Sequence, residues 1–76
     1  MADHLLDITR DVCPITFVKT KLLLEPMSSG ETADIRLTGA EPLENVPRSV
    51  REHGHEVLFL EPETGGAVYT LRIRKR

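Results

Sequence analysis

A period of two in the apolar residues predicts β-strands in three segments of the chain, and a short apolar run, the third segment below, predicts a fourth strand. These segments are residues 4–9, 32–38, 56–61 and 67–75. In the first, Leu6 and Ile8 share one face of the strand. In the second and fourth, every second residue is apolar, which predicts one buried face and one solvated face.

A first helix is predicted after the first strand. Pro14 suits the first turn of a helix, because its missing N–H has no partner to lose there. Ile15, Val18 and Leu22 recur at helical spacing, so we expect them to form the buried face of this helix, which Phe17 and Leu24 widen. The residue before a proline disfavours helix, and Pro26 therefore ends or distorts the helix at residue 25.

A second helix is predicted in residues 45–54. Asn45 is a natural N-cap, Pro47 follows in the first turn, and Gly54 can end the helix in the left-handed conformation. Helices that join strands of one sheet are right-handed crossovers, which place both helices on one face. The order β-α-β-α-β-β, with a hairpin loop at residues 64–66, therefore predicts an α+β fold, a two-layer α/β sandwich of four strands and two helices.

The third strand has apolar residues on both of its faces. We expect Val57 and Phe59 to pack under the helices, which leaves Leu58 and Leu60 on the open face of the sheet. There they would form an apolar patch for self-association or for a secondary protein contact.

Composition limits the possible functions of this chain. Its 76 residues predict a single domain over residues 1–76, and a formal net charge of −2 disfavours binding to a nucleic-acid backbone. No apolar run is long enough to span a membrane and no secretory signal is visible, so a cytoplasmic location is predicted. His53 and His55 complete no recognisable ligand spacing, and we expect neither a metal nor a cofactor.

The single cysteine, Cys13, directly precedes Pro14. If Pro14 begins the helix, Cys13 is the N-cap, where unpaired N–H groups and the positive end of the helix dipole favour thiolate and lower the thiol pKa. Arg10 would add to this effect, whereas Asp7 and Asp11 would oppose it. The alternative is that Cys13 is a small buried residue of the core, which is a frequent role for a free cysteine.

The segment LDITRDVCP resembles the entry motif of the TusA/SirA-like sulfur-carrier family, in which Leu-Asp lies shortly before a Cys-Pro at a helix start. The residues that match are Leu6, Asp7, Cys13, Pro14 and Lys21. The resemblance continues through Gly30 and residues 45–55 to the terminal strand, and so covers essentially the whole chain. It implies a mixed sheet of order 1-2-4-3 with the last strand antiparallel.

The resemblance also implies a function. In the family, the cysteine accepts sulfane sulfur as a persulfide and passes it to another protein, a role that falls here on Cys13. The implied partners are a sulfur-donor protein, of the cysteine desulfurase or rhodanese type, and an acceptor protein; no cofactor is needed. Thr16 replaces a second family proline and Arg10 replaces a glycine, which leaves the pathway open. Lys19 and Lys21 are candidates for a partner-docking surface beside Cys13.

Two other classes of function remain open. One is a thiol- or haem-responsive regulatory module, although the chain has no second cysteine to resolve a sulfenic acid. The other is an RNA-binding domain, against which the acidic net charge and the low aromatic content weigh.

Overall fold

The computed structural model describes residues 3–11 and 15–76 and contains six elements. In chain order they are β1 (His4–Asp7), α1 (Ile15–Leu24), β2 (Thr32–Leu37), α2 (Ala40–Glu52), β3 (Glu56–Pro62) and β4 (Tyr69–Arg74). This is the predicted order β-α-β-α-β-β. Within the described residues, neither helix has the length and apolar character that a membrane span requires.

The four strands form one mixed sheet in the order β1-β2-β4-β3. β1 and β2 are parallel, and β4 lies between β2 and β3 and is antiparallel to both. The predicted fold class, strand order and strand directions are therefore confirmed. Because β4 lies in the centre of the sheet, both of its edges are paired with neighbouring strands. We therefore expect the core to depend strongly on β4.

The hydrophobic core lies between the sheet and the two helices. On β2 and β4 it uses alternate residues, as predicted from the period of two. Its fully buried strand residues are Ala33, Ile35, Leu37, Leu71 and Ile73, which Ile8, Leu24, Met27, Val46 and Val50 join. Partly buried Leu6 of β1 packs against the cluster that contains Ile8, so these two residues lie on the same side of the sheet, as predicted.

The predicted buried face of α1 is wrong for Ile15, Val18 and Leu22, whereas Leu24 is buried in the core as expected. Ile15, Val18 and Leu22 are 44%, 45% and 60% exposed, whereas Thr16 and Thr20 are almost completely buried. The Thr20 hydroxyl donates a hydrogen bond of 2.8 Å to the Thr16 carbonyl, so that its polar group is satisfied inside the helix. Because the Thr20 hydroxyl has a hydrogen-bond partner, burying it in the core costs little. The threonine side of the helix can therefore face the core, while the larger apolar side chains face outward.

The predicted start of α2 is also wrong, whereas its end is confirmed. The helix begins at Ala40, after the N-cap Gly39, so that Pro47 lies inside the helix instead of in its first turn. At the other end, Gly54 adopts a positive φ of 86°. Hydrogen bonds from Gly54 N–H to the Arg51 carbonyl and from His55 N–H to the Val50 carbonyl complete a Schellman motif.

A β-bulge between Val57 and Phe59 changes which residues of β3 face the helices. Beyond the bulge, Phe59 lies opposite Arg72 and Leu60 lies opposite the fully buried Leu71. Because cross-strand partners share a face, Phe59 belongs to the open face and Leu60 to the helix side. The prediction that Leu60 lies on the open face with Leu58 is therefore wrong, although Leu58 and Leu60 are both exposed, at 38% and 36%.

Ion pairs cover the open face of the sheet instead. Arg72 donates two hydrogen bonds to Asp34, of 2.7 and 2.9 Å, and its guanidinium lies 5.0 Å from the centre of the Phe59 ring. Arg36 contacts both Asp7 and Glu63. Since the arginines of this face have acidic partners, it does not offer the unpaired positive charge that a nucleic-acid backbone requires.

Candidate functional site

The turn that follows β1 is held by Asp7, which belongs to the Leu-Asp pair that resembles the TusA/SirA-like entry motif. One carboxylate oxygen of Asp7 accepts hydrogen bonds from the Thr9 backbone N–H and the Thr9 hydroxyl, at 2.9 and 2.7 Å. The other oxygen accepts one from Arg36 of β2, at 2.9 Å. The bonds from Thr9, and secondarily the Arg36 guanidinium, hold the pKa of Asp7 below its usual value. Asp7 thus stays charged and joins the turn to the sheet.

The segment between this turn and α1 contains Cys13 and Pro14, which lie outside the described residues. Their predicted positions at the start of the helix stay predictions. The described residues that flank the segment are Asp11, whose N–H donates to the Ile8 carbonyl at 3.2 Å, and Ile15, the first residue of α1.

An ion pair connects the two sides of this segment. Lys19 Nζ lies 2.8 Å from Asp11 Oδ2, so that the turn after β1 is linked to the second turn of α1. Asp7 is paired with Arg36 on the other side of the turn. The two carboxylates that we expected to oppose a thiolate at Cys13 are therefore each balanced by a cation.

The other predicted site residues have different environments. Thr16 is fully buried, so it anchors the first turn of α1 in the core and is not accessible to a partner. Arg10 is exposed in the turn before the cysteine. Lys19 is bonded to Asp11, whereas Lys21 lines a cleft between α1 and α2, and their role in partner docking stays a prediction.

The outward side of α1 carries an apolar surface that the sequence analysis assigned to the core. We call Ile15, Val18 and Leu22 the α1 stripe; they are spaced three and four residues apart and are all exposed. Two β-branched threonines, Thr16 and Thr20, occupy the core-facing side. An exposed row of large apolar side chains opposite buried polar ones is typical of a protein-interaction surface. In the sequence, the only sign of this orientation was the spacing of Thr16 and Thr20, which lie four residues apart and therefore on one face of the helix.

Comparison with protein families gives a match over nearly the whole chain. The family model described as Sulfurtransferase TusA matches residues 4–75. This range includes both sides of the cysteine segment and all six elements of the fold.

Individual proteins show the same similarity. A protein of Archaeoglobus fulgidus is 43% identical over 75 residues, which cover 99% of this chain and 84% of that protein. One of Thermotoga maritima is 35% identical over 69 residues, or 91% of this chain and 86% of that protein. Both carry the name "Putative sulfur carrier protein".

A solved structure shows the same fold at low sequence identity. The crystal structure of a SirA-like protein from Desulfitobacterium hafniense superposes with a TM-score of 0.80. The match covers 93% of this chain and 95% of that chain, at 19% identity.

Proposed function

Because the chain belongs to the TusA sulfurtransferase family, we propose that it is a sulfur carrier in which Cys13 holds sulfane sulfur as a persulfide. The Cys13 thiolate attacks the terminal sulfur of a donor protein's cysteine persulfide. A new S–S bond forms at Cys13, the donor's S–S bond breaks, and the donor cysteine leaves as a thiolate. No external oxidant or reductant is required.

Delivery is a second exchange of the same kind, in which Cys13 gives up the sulfur to the acceptor protein. A thiolate of the acceptor protein attacks the outer sulfur of the Cys13 persulfide, and the Cys13 thiolate is the leaving group. A lowered thiol pKa favours both steps, since it supplies more thiolate for loading and a better leaving group for delivery. The donor is of the cysteine desulfurase or rhodanese type.

The structural observation that supports transfer from a protein donor is the α1 stripe. Its first residue, Ile15, lies two positions after Cys13 in the sequence, and Val18 and Leu22 extend the stripe along the exposed side of α1. A protein-bound persulfide reaches Cys13 only if the donor docks next to it. An apolar surface of this kind beside the cysteine segment gives such a donor a place to bind.

Mass spectrometry of the intact protein tests the proposal. After incubation with a cysteine desulfurase and free cysteine, we expect the chain to gain the mass of one sulfur atom, which a reductant then removes. The chain has one cysteine, so Cys13→Ser leaves no thiol and is a clean negative control. A parent chain that gains no sulfur while an established carrier does so in parallel would overturn the proposal.

The ion pair beside the cysteine segment gives a second test. Lys19→Ala leaves the Asp11 carboxylate without its cation, and we expect this negative charge to raise the pKa of Cys13 and to slow its alkylation at neutral pH. Asp11→Asn is expected to accelerate alkylation. The double variant should return close to the parent rate. Equal rates in all four proteins would show that the pair does not act on the thiol.

A further inference from the structure

A cleft with a volume of about 250 Å³ lies between α1 and α2. It occupies the side of α1 that faces α2, whereas the α1 stripe lies on the outward side of the same helix. The proposed sulfur relay uses no residue of this cleft except Lys21, which is a docking candidate. Its volume approaches the lower end of the range of small-molecule sites, which begins at roughly 300 Å³.

The walls of the cleft are largely apolar. Phe17 and Leu24 of α1 face Val50 of α2 across it. The Phe17 ring lies 5.8 Å from the ring of His53, which follows the end of α2, so that the two helices are bridged by a tilted ring contact. An apolar cavity wall that the protein does not fill favours a ligand with an apolar body.

The charged side chains of the cleft favour an anion. Lys21, Lys75 and Glu25 line it, which gives a formal charge of +1 when the histidines are neutral. Burial, with the neighbouring Lys75 and His53 as further causes, lowers the pKa of His55 below its usual value. Lys75, which disfavours a positive charge on His55, would also stabilise a negative charge on a ligand.

Hydrogen bonds fix the position of Lys75 at this site. Its ammonium group donates to the carbonyls of Leu24, at 2.5 Å, and Glu25, at 3.1 Å, and so caps the C-terminal end of α1. An ammonium group has three N–H donors, and these contacts of the described residues use two of them. Lys75 can therefore hold its place in the fold and still donate to a ligand.

The two histidines are held in different tautomers. His55 Nδ1 accepts a hydrogen bond from the Arg76 backbone N–H at 3.2 Å, so the neutral ring carries its proton on Nε2. His53 Nδ1 lies 2.8 Å from the Ser49 carbonyl and must donate to it, which leaves Nε2 as an acceptor. Neutral His55 can therefore donate to an anion from Nε2, whereas neutral His53 presents only an acceptor at that atom.

We propose that the interhelical cleft binds a small organic monocarboxylate, with its apolar body against Phe17, Leu24 and Val50 and its carboxylate at Lys21, Lys75 and His55. This site is separate from the α1 stripe, so a bound carboxylate and a docked sulfur donor can occupy the protein together. The inference does not depend on the persulfide chemistry of Cys13.

Octanoate, compared with 1-octanol, is the direct probe. We expect octanoate to shift the amide NMR signals of cleft residues with a Kd at or below about 1 mM, which corresponds to roughly −4 kcal/mol. Octanol has the same apolar chain without the charge, and it should bind at least about fivefold more weakly. Octanoate, but not octanol, should also raise the pKa of His55, because a carboxylate stabilises the imidazolium form.

Two variants and one matched control complete the test. Lys21→Gln should weaken octanoate binding at least about fivefold and leave octanol binding unchanged, since only the carboxylate uses the charge. Ser49→Phe places a large ring at the cleft and should abolish binding of both probes. Lys19→Gln removes the same charge from α1 outside the cleft and should leave both affinities at the parent values. Octanoate shifts that fall elsewhere, or that neither cleft variant reduces, would overturn the proposal.

Discussion

Replacing Val18 and Leu22 together with serine is expected to slow enzymatic sulfur loading of Cys13 by at least about tenfold while the fold stays intact. Both side chains are exposed, at 45% and 60%, so their truncation leaves no cavity in the core. Burying a Val or Leu side chain contributes about 1.5–3 kcal/mol relative to leaving it exposed, and 1.4 kcal/mol corresponds to a factor of ten in affinity. Serine also adds no charge near the thiol.

The measurement compares two reactions of the same thiol. Loading is followed by the gain of one sulfur atom with a cysteine desulfurase as donor, and intrinsic reactivity by alkylation with iodoacetamide. The small reagent needs no docking, so we expect its rate to stay within about twofold of the parent value. A loss of docking therefore affects the first rate alone.

Leu5→Ser is the matched control for this double variant. Leu5 is 71% exposed, but it lies on the face of β1 away from the helices. Its replacement should leave both rates unchanged. If the Val18 and Leu22 double variant loads sulfur at the parent rate, the α1 stripe is not the donor surface. If alkylation falls together with loading, the substitutions act on Cys13 itself.

The strands of this protein were predictable because each central strand has one clear apolar face. Ile35 and Leu37 of β2, and Leu71 and Ile73 of β4, alternate with polar residues, and all four are fully buried. A one-residue slip of either strand would bring its charged residues into the core, so the pattern determines the register. The order of the strands came from the family resemblance and not from the pattern.

The orientation of α1 was not predictable in the same way. Apolar residues occur all round this helix, so a period of 3.6 residues does not select one buried face. The structure places Thr16 and Thr20 inside, where the hydrogen bond from Thr20 to the Thr16 carbonyl satisfies a hydroxyl that hydrophobicity alone would place in water. The surface proposed for partner docking was therefore misassigned to the core.

The errors in β3 and α2 have local causes. A single bulge in β3 inserts one residue into the alternation, and every position after it changes face, as Phe59 and Leu60 show. In α2, Asn45 and Pro47 resembled a helix start, yet Gly39, with a φ of 95°, precedes the helix. Pro42 lies in the first turn of the helix, where a missing N–H is tolerated.

Truncating Leu71 to alanine is expected to destabilise the protein by about 2–5 kcal/mol, the range for leucines in well-packed cores. Leu71 has no exposed surface and lies on β4, between β2 and β3. A domain of this size has a free energy of unfolding of roughly 4–11 kcal/mol, at about 0.05–0.15 kcal/mol per residue. The substitution therefore removes a large part of the total, which urea unfolding followed by circular dichroism measures.

Leu60, the cross-strand partner of Leu71, is the control for this prediction, because the same substitution is made on the same side of the sheet. Leu60 lies on the edge strand β3 and keeps 36% of its surface exposed. Leu60→Ala loses less buried area and leaves a site open to water, so we expect less than half of the destabilisation caused by Leu71→Ala. Equal losses for the two variants would show that the helices cover β3 as fully as β4, and that the bulge does not leave this edge of the sheet partly solvated.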